Sequence, residues 1–370
     1  PNLIINIDSF LEEIQPVIYL SETEKLTYRK LQKEKAFVNK ELVLKKDLSD
    51  EEIARFNVRS FNFQNAFIAK RYRRISDYPD IFSHVLGYTS RSDDDFNSIS
   101  EIPPGHWKDA ELVYAHGLIK GRTGLEEIYD EHLSGSYGKR VYEMNARGQL
   151  VQSLSLTKGK QGSDLYTNLD IDAQKSAAKF LGNRKGAVVA IDLDTGGINV
   201  LYSSPAYSIN KLSNGMSENE FQTLIDDPNK PFFNRALQGR YPPASTIKPA
   251  IGMYGLSNNI VNWDFEMKDP GFFTLPETGR IFRGWRKGGH GKVNMHKAFL
   301  VSSNTYFFSL AYQANITELS NHLSNLGFGQ KVCLDCFDED QVFVPTPEWK
   351  YSMMNAGWVK GDTINLGIGQ

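Results

Sequence analysis

The chain has 370 residues, 40% hydrophobic and 23% charged, with 42 basic against 44 acidic residues and a formal charge of −2. That length predicts two or three domains, and the near-balance of charge excludes the strongly basic face of a nucleic-acid binder. No run of about 18 apolar residues occurs, so no segment reads as a membrane span. The chain begins at Pro1 without a signal-peptide pattern, and so reads as a fragment whose true N-terminus, with any membrane anchor it held, is missing.

Residues 1–162 are charged and loosely patterned. "SETEKLTYRKLQKEKAFVNKEL" predicts a polar helix opened by an N-cap at Ser21, and "SDEEIARFNVRSF" predicts a second opened by Ser49. "KRYRR" at 70–74 reads as solvated surface. "RVYEMNARGQLVQSL" predicts two short strands about a turn at 146–148. This half shows no catalytic constellation and no fixed-period repeat, and it reads as a scaffold or docking region.

Composition shifts near "SDLYTNLDIDAQKSAAKFLG" at 163–182, where a capped helix begins. "KGAVVAIDLDTGGINVLYSSP" then predicts a hairpin turning through 194–197. A loop-rich stretch, a helix from Ser245, a Gly-rich segment and further helical patterns follow. Strands followed by helices point to an α/β or α+β layer, not a helical bundle.

Spacing alone does not single out a nucleophile. S-x-x-K occurs five times, starting at Ser136, Ser155, Ser176, Ser208 and Ser245. Context separates them, because only Ser245, in "RYPPASTIKPAIGMYGL", opens a mostly apolar helix. Pro249 is tolerated there, since first-turn N–H groups have no partner within the helix. One turn apart, Ser245 and Lys248 share a face. Burial and the positive end of the helix dipole both push Lys248 toward a neutral amine that can take the Ser245 proton. The free N–H groups of the same turn suit an oxyanion developing near Ser245.

Downstream, "HKAFLVSSNTYFFSLAY" places the polar kink Ser302–Ser303–Asn304 between two greasy helices. S-x-N recurs at Ser208, Ser217 and Ser257, so the context again carries the reading. Three small polar residues in such a place make either a structural turn or a cleft-facing proton relay through Ser302. Other chemistries fail on inspection. No G-x-S-x-G surrounds any serine. "GGHGKVN" lacks the first glycine and the Ser/Thr of a phosphate loop. His290 and His296 lack carboxylates at ligand spacing, and there is no H-E-x-x-H. Cys333 and Cys336 lack the second ligand pair of a zinc site and read as incidental to the chemistry. Whether they form a disulfide depends on backbone geometry, because extended i and i+3 residues stand too far apart to bridge.

The ordered set "FNRALQGRYPPASTIKP", "GWRKGGHGKVN", "SSNTYFF", "PTPEWK" and "GDTINLGIGQ" resembles the class B penicillin-binding proteins. Within them it is most similar to the penicillin-binding protein 2 branch, the elongation transpeptidases of rod-shaped Gram-negative bacteria. "HVLGY" at 84–88 and "KGRTGLEEIYDEHLSG" at 120–135 resemble that family's N-terminal pedestal. The resemblance implies an elongated α+β pedestal over 1–162. It implies an α/β (α+β) transpeptidase domain over 163–370, an antiparallel sheet flanked by helices.

The resemblance further implies that Ser245 is the acylated nucleophile, Lys248 its general base, and Ser302 and Asn304 the second motif. Substrates would be peptidoglycan stem peptides ending in D-Ala-D-Ala, with β-lactams as trapping mimics. The family's setting is the periplasm, as part of a protein anchored in the inner membrane. Its partners there are a membrane glycan polymerase and a shape-determining scaffold protein. Two rival readings use the same residues: a β-lactamase or DD-carboxypeptidase that passes the acyl group to water, and a penicillin-binding sensor or scaffold without turnover.

Two departures stand out. The family's K-T-G motif does not occur before Gln370, so the transpeptidase domain reads as C-terminally incomplete. Relatives that bind zinc beside the site use two Asp, a His and a Cys, and those positions hold Asp269, Gly284, His290 and Ser303 here. Two of those four ligands are lost, so neither a metal nor any other cofactor is expected.

Overall fold

The structure, a computed structural model, describes residues 6–34, 42–63, 65–69, 73–91, 119–136, 138–144, 150–336, 339–340 and 342–370. The chain forms two compact units, residues 1–72 and 73–370.

The first unit holds α1 (Ile7–Ile14), α2 (Glu22–Glu34) and α3 (Asp50–Arg59). Leu11, Ile14, Leu20, Tyr28, Phe56 and Phe63 make its core. Both expected caps form. Ser21 Oγ accepts the Glu24 N–H at 3.3 Å while the Glu24 carboxylate accepts the Ser21 N–H at 2.8 Å. Ser49 and Glu52 make the same reciprocal pair.

The second unit begins with α4 (Ser83–Leu86), the ribbon β1 (Thr89–Arg91) with β2 (Ile119–Gly121), then α5 (Gly124–Ile128) and α6 (Asp130–Ser134). The "HVLGY" glycine, Gly87, has φ +76°, and a Cβ there would lie 1.8 Å from the Thr123 carbonyl oxygen, so only glycine fits. Part of "KRYRR" is not the solvated surface expected: Arg74 forms an ion pair with Glu126 and donates to Ser134 Oγ. Residues 70–72 of that run lie outside the described residues. The strands expected around 146–148 form as β3 (Lys139–Met144) and β4 (Leu150–Thr157), while the turn itself lies outside the described residues.

Helix α7 (Ile171–Leu181), capped by Asp170, covers the hairpin of β5 (Gly186–Ile191) and β6 (Ile198–Ser204). Buried Gln174 locks helix to strand: it donates to the Leu201 carbonyl at 2.9 Å and accepts the Leu201 N–H at 3.0 Å. Ala177, Val200 and Tyr202 fill the space between them. Then come α8 (Ile209–Asn214) and α9 (Glu218–Asp226).

The remainder builds one large core. A 3-10 turn (Ala244–Ile247) leads into α10 (Lys248–Ser257). β7 (Glu266–Asp269), β8 (Phe272–Thr274), β9 (Ile281–Arg283) and β10 (Gly291–Asn294) follow, with β7 pairing β10 and β8 pairing β9. Helices α11 (Met295–Leu300), α12 (Asn304–Gln313), α13 (Ile316–Asn325), α14 (Pro347–Met354) and α15 (Lys360–Leu366) complete it. Every strand pair is antiparallel, as expected, and among the described residues each sheet is a two-stranded ribbon.

Helix α12 is the pillar of this core. Its Tyr306, Phe307 and Leu310 are buried in one cluster with Ile251 and Tyr254 of α10, Leu319 and Leu323 of α13, and Ile364 of α15. Each such apolar side chain contributes about 1.5–3 kcal/mol on burial. Small residues allow the close approach: a Cβ at Gly255 would lie 2.6 Å from Leu310 Cδ1, and one at Gly367 2.5 Å from Ala311 Cβ. The chain segments carrying Ser245–Lys248 and Ser302–Asn304 are thereby held against each other.

Candidate active site

The serine–lysine segment differs in one detail from the helix expected to start at Ser245. Ser245 lies in the 3-10 turn, and Lys248 is the first residue of the α-helix proper, with Pro249 in its first turn. Ser245 is exposed, whereas Lys248 is only 2% exposed. The nucleophile candidate faces solvent and the amine is enclosed.

The structure brings Ser245, Lys248, Ser302 and Asn304 together. Lys248 Nζ donates to Asn304 Oδ1 at 2.7 Å and to the Ser302 carbonyl at 3.1 Å, and it stands 3.1 Å from Ser302 Oγ. Ser302 Oγ lies 3.1 Å from Ser245 Oγ. The link between amine and nucleophile therefore runs through Ser302, where the sequence reading had Lys248 taking the Ser245 proton directly. Ser302 has φ +50°, so the kink is a structural turn, and its hydroxyl lies between the Lys248 amine and the Ser245 hydroxyl.

This geometry suits a neutral amine. A neutral lysine carries two N–H donors and one lone pair. Two of its three partners, Asn304 Oδ1 and the Ser302 carbonyl, can only accept. They take both N–H groups and leave the lone pair for the one partner that can donate, the Ser302 hydroxyl. Burial pushes the Lys248 amine down from 10.5 to about 8. The Phe307 ring, 5.3 Å from Nζ, favours the ammonium by cation–π attraction, but desolvation outweighs it.

Two residues beside the site hold strained backbone. Ala244 (φ +48°) and Ser302 (φ +50°) are non-glycine residues in the left-handed region, at a cost of about 1–2 kcal/mol each. Ala244 is kept there by its N–H, which donates to the Gly369 carbonyl at 3.1 Å. Gly369 itself has φ +74°, and a Cβ on it would lie 2.4 Å from the Ala244 oxygen. Neither the bend at Ala244 nor its support from residue 369 was signalled by local sequence.

A second polar cluster adjoins the first. The β7–β10 register sets Asp269 opposite Gly291, which brings its carboxylate beside His290. Asp269 Oδ2 accepts from His290 Nδ1 at 2.9 Å and from Ser303 Oγ at 2.7 Å, and Oδ1 accepts from the Gly271 N–H at 2.7 Å. Burial alone would raise this carboxyl, but the hydrogen bonds from His290, Ser303 and Gly271 outweigh it and lower the group below its usual 3.8. The carboxylate near His290 was invisible to spacing because it is 21 residues away in sequence.

These residues do not fit zinc. A structural site takes four ligands. Gly284 offers no side chain, and even a Cβ there would sit close, 3.2 Å from the Gly271 oxygen and 3.3 Å from Thr305 Oγ1. Ser303 Oγ is engaged by Asp269 and by the Tyr306 N–H, which it accepts at 3.2 Å. Only Asp269 and His290 remain as donors. Elsewhere, Cys333 and Cys336 bracket a turn that brings their Cα atoms to 5.3 Å, and they are joined as a disulfide. Asp335 between them accepts the Tyr129 hydroxyl at 3.0 Å.

Known proteins resemble this chain over nearly its whole length. The family model "Penicillin binding protein transpeptidase domain" matches residues 186–370, and "Penicillin-binding Protein dimerisation domain" matches residues 3–167. A peptidoglycan D,D-transpeptidase MrdA from Acinetobacter baumannii is 37% identical, over 99% of this chain and 53% of that protein. The protein of the same name from Escherichia coli K12 is 32% identical, over 100% of this chain and 58% of that protein. The chain thus spans little more than half the length of the curated relatives it matches.

Among solved structures, Helicobacter pylori PBP2 in complex with MreC superposes with a TM-score of 0.81 at 27% identity, covering 98% of this chain and 66% of that one. Pseudomonas aeruginosa PBP2 in complex with WCK 5153 gives 0.68 at 32% identity, covering 81% and 60%. Among the described residues no helix is long and apolar enough to cross a membrane. On the family matches and the shared fold, the chain belongs to the penicillin-binding protein transpeptidase family.

Proposed function

We propose that the protein is a peptidoglycan D,D-transpeptidase of cell elongation, with Ser245 as nucleophile, Lys248 as general base, Ser302 as proton relay and Asn304 as the group that orients the amine. The observation that carries this is the unbroken line of hydrogen bonds from Asn304 through Lys248 and Ser302 to Ser245. The relatives named MrdA support the assignment of substrate class.

Ser245 Oγ attacks the carbonyl carbon of the penultimate D-alanine of a stem peptide. Its proton passes to Ser302 Oγ, and the Ser302 proton passes to the Lys248 lone pair. The tetrahedral intermediate expels the terminal D-alanine, whose amine collects the proton from Lys248 by the same route. The acyl-enzyme is then resolved by an amine from a neighbouring stem, giving a cross-link and free Ser245. A β-lactam enters the same first step, but its leaving group stays tethered, so the serine is trapped.

We assign residues 1–162 to a non-catalytic pedestal and 163–370 to the transpeptidase domain, a division supported by the two family matches. The protein works in the periplasm of a Gram-negative bacterium, held at the inner membrane. There it partners a membrane glycan polymerase and a scaffold protein of the MreC type, for which the Helicobacter pylori complex is the support.

The test uses full-length protein with a glycan polymerase and labelled lipid-linked precursor. Cross-linked dimers should appear, and Ser245→Ala should abolish them. Release of D-alanine without dimers would favour the carboxypeptidase reading. Normal cross-linking and rod shape with Ser245→Ala as the only cellular copy would favour a non-catalytic scaffold.

A further inference from the structure

We infer that Asp269, acting through Ser303, is a metal-independent positioning clamp for the Ser302–Asn304 relay. The inference rests on the proposed roles of Ser245 and Lys248. Ser303 lies between the two residues that touch the Lys248 amine, so whatever fixes Ser303 fixes both.

Three contacts fix it. Its hydroxyl donates to Asp269 Oδ2 at 2.7 Å and accepts the Tyr306 N–H at 3.2 Å, which caps α12. Its own N–H donates to the Ala298 carbonyl at 2.9 Å. Ser303 and Asp269 are 0% and 2% exposed, so water does not compete for these bonds.

Asp269 is in turn immobilised from both sides. The Gly271 N–H holds Oδ1, His290 Nδ1 holds Oδ2, and the His290 N–H donates to the Asp269 carbonyl at 3.2 Å. A glycine is required beside it: Gly289 has φ +68°, and a Cβ there would lie 2.0 Å from the Asp269 carbonyl oxygen. His290 Nε2 is buried with no hydrogen-bond partner among the described residues, so the imidazole serves the carboxylate through Nδ1 alone.

The chemistry explains why a hydroxyl suffices at 303. A metal ion can tie together groups that would otherwise repel or ignore one another. Here one carboxylate accepts from a hydroxyl, an imidazole and a backbone amide, so hydrogen bonds alone satisfy it. Asp269 never touches substrate; it sets where Ser302 Oγ and Asn304 Oδ1 stand relative to Lys248 Nζ. Displacing such groups by about 1 Å slows a reaction on the order of 100-fold.

The experiment measures acylation of the full-length protein by a fluorescent penicillin, separating the encounter Kd from the acylation rate constant, with melting temperature as a check on folding. Ser303→Thr and Ser303→Val have the same shape and differ by one hydroxyl. The clamp predicts that Thr keeps most of the acylation rate and that Val loses roughly 10- to 100-fold with Kd little changed. Asp269→Asn, which leaves the α12 cap in place, should fall in the same range. Wild-type protein dialysed against a strong chelator should keep its rate and contain substoichiometric zinc.

Equal rates for the Thr and Val variants, or a normal rate in folded Asp269→Asn, would overturn the clamp. So would stoichiometric zinc whose removal slows acylation. Absence of any wild-type adduct on Ser245 would instead sink the underlying assignment of the nucleophile, a distinct failure.

Discussion

Ser302 Oγ stands 3.1 Å from both Ser245 Oγ and Lys248 Nζ, so one hydroxyl bridges an exposed nucleophile and an enclosed amine. The bridge exists because Ser302 adopts a left-handed backbone between α11 and α12. It lets Lys248 remain desolvated, with its pKa lowered to about 8, while Ser245 stays open to substrate.

The lowered amine has a direct kinetic consequence. Acylation needs Lys248 neutral, and burial brings its pKa to about 8. The acylation rate by a β-lactam should climb about tenfold per pH unit below that value and level off above it. Stopped-flow or gel-based labelling from pH 6 to pH 10 checks this. A climb continuing through pH 10 would mean an ordinary, solvated lysine.

Removing the bridge should be nearly as damaging as removing the base. Lys248→Ala should slow acylation by roughly 100- to 10,000-fold, the usual worth of positioned acid–base catalysis, and Ser302→Ala by at least about 100-fold. Labelling kinetics at fixed pH measure both. Wild-type-like rates for Ser302→Ala would mean that Lys248 swings directly to Ser245.

A remote glycine should also matter. A methyl group on Gly369 would be driven into the Ala244 carbonyl, 2.4 Å away, and Gly369 already needs φ +74°. Gly369→Ala should shift Ala244 and, with it, Ser245, lowering acylation more than tenfold while α10 and α12 stay folded. Circular dichroism alongside labelling separates the two effects.

His84 should make the fold sensitive to acid. Burial, the largest influence, holds it down at about 4, and its Nε2–H donates to the Pro231 carbonyl at 2.7 Å. The unfolded chain takes a proton near pH 6.5, where the folded chain does not. Stability is therefore full above about pH 6.5 and is lost as pH falls toward 4, by an amount on the order of 3 kcal/mol. Urea unfolding at pH 7 and pH 4.5 should show a smaller loss in His84→Gln, which cannot titrate.

Much of the candidate site is legible in the sequence. Ser245 was separable from the four other S-x-x-K serines by the apolar helix that follows it, because burial of that helix is what desolvates Lys248. The polar kink at 302–304 stood out because its flanks are greasy. The caps at Ser21 and Ser49 and the β5–β6 hairpin follow from local chemistry and formed as expected.

What sequence did not reveal was nonlocal. The Asp269–His290 contact depends on the β7–β10 register, and the support of Ala244 comes from residue 369, 125 positions away. The hydrogen-bonded bridge through Ser302 depends on how tightly α10 and α12 approach, which small residues such as Gly255 decide. Arg74 was misread as solvated because its partners, Glu126 and Ser134, lie more than 50 residues downstream.

The most direct test of the central claim is peptide mass spectrometry of the full-length protein after brief exposure to a β-lactam. The account predicts one covalent adduct on Ser245, lost in Ser245→Ala and strongly slowed in Ser302→Ala. An adduct on a different serine, or none at all in folded protein, would contradict it.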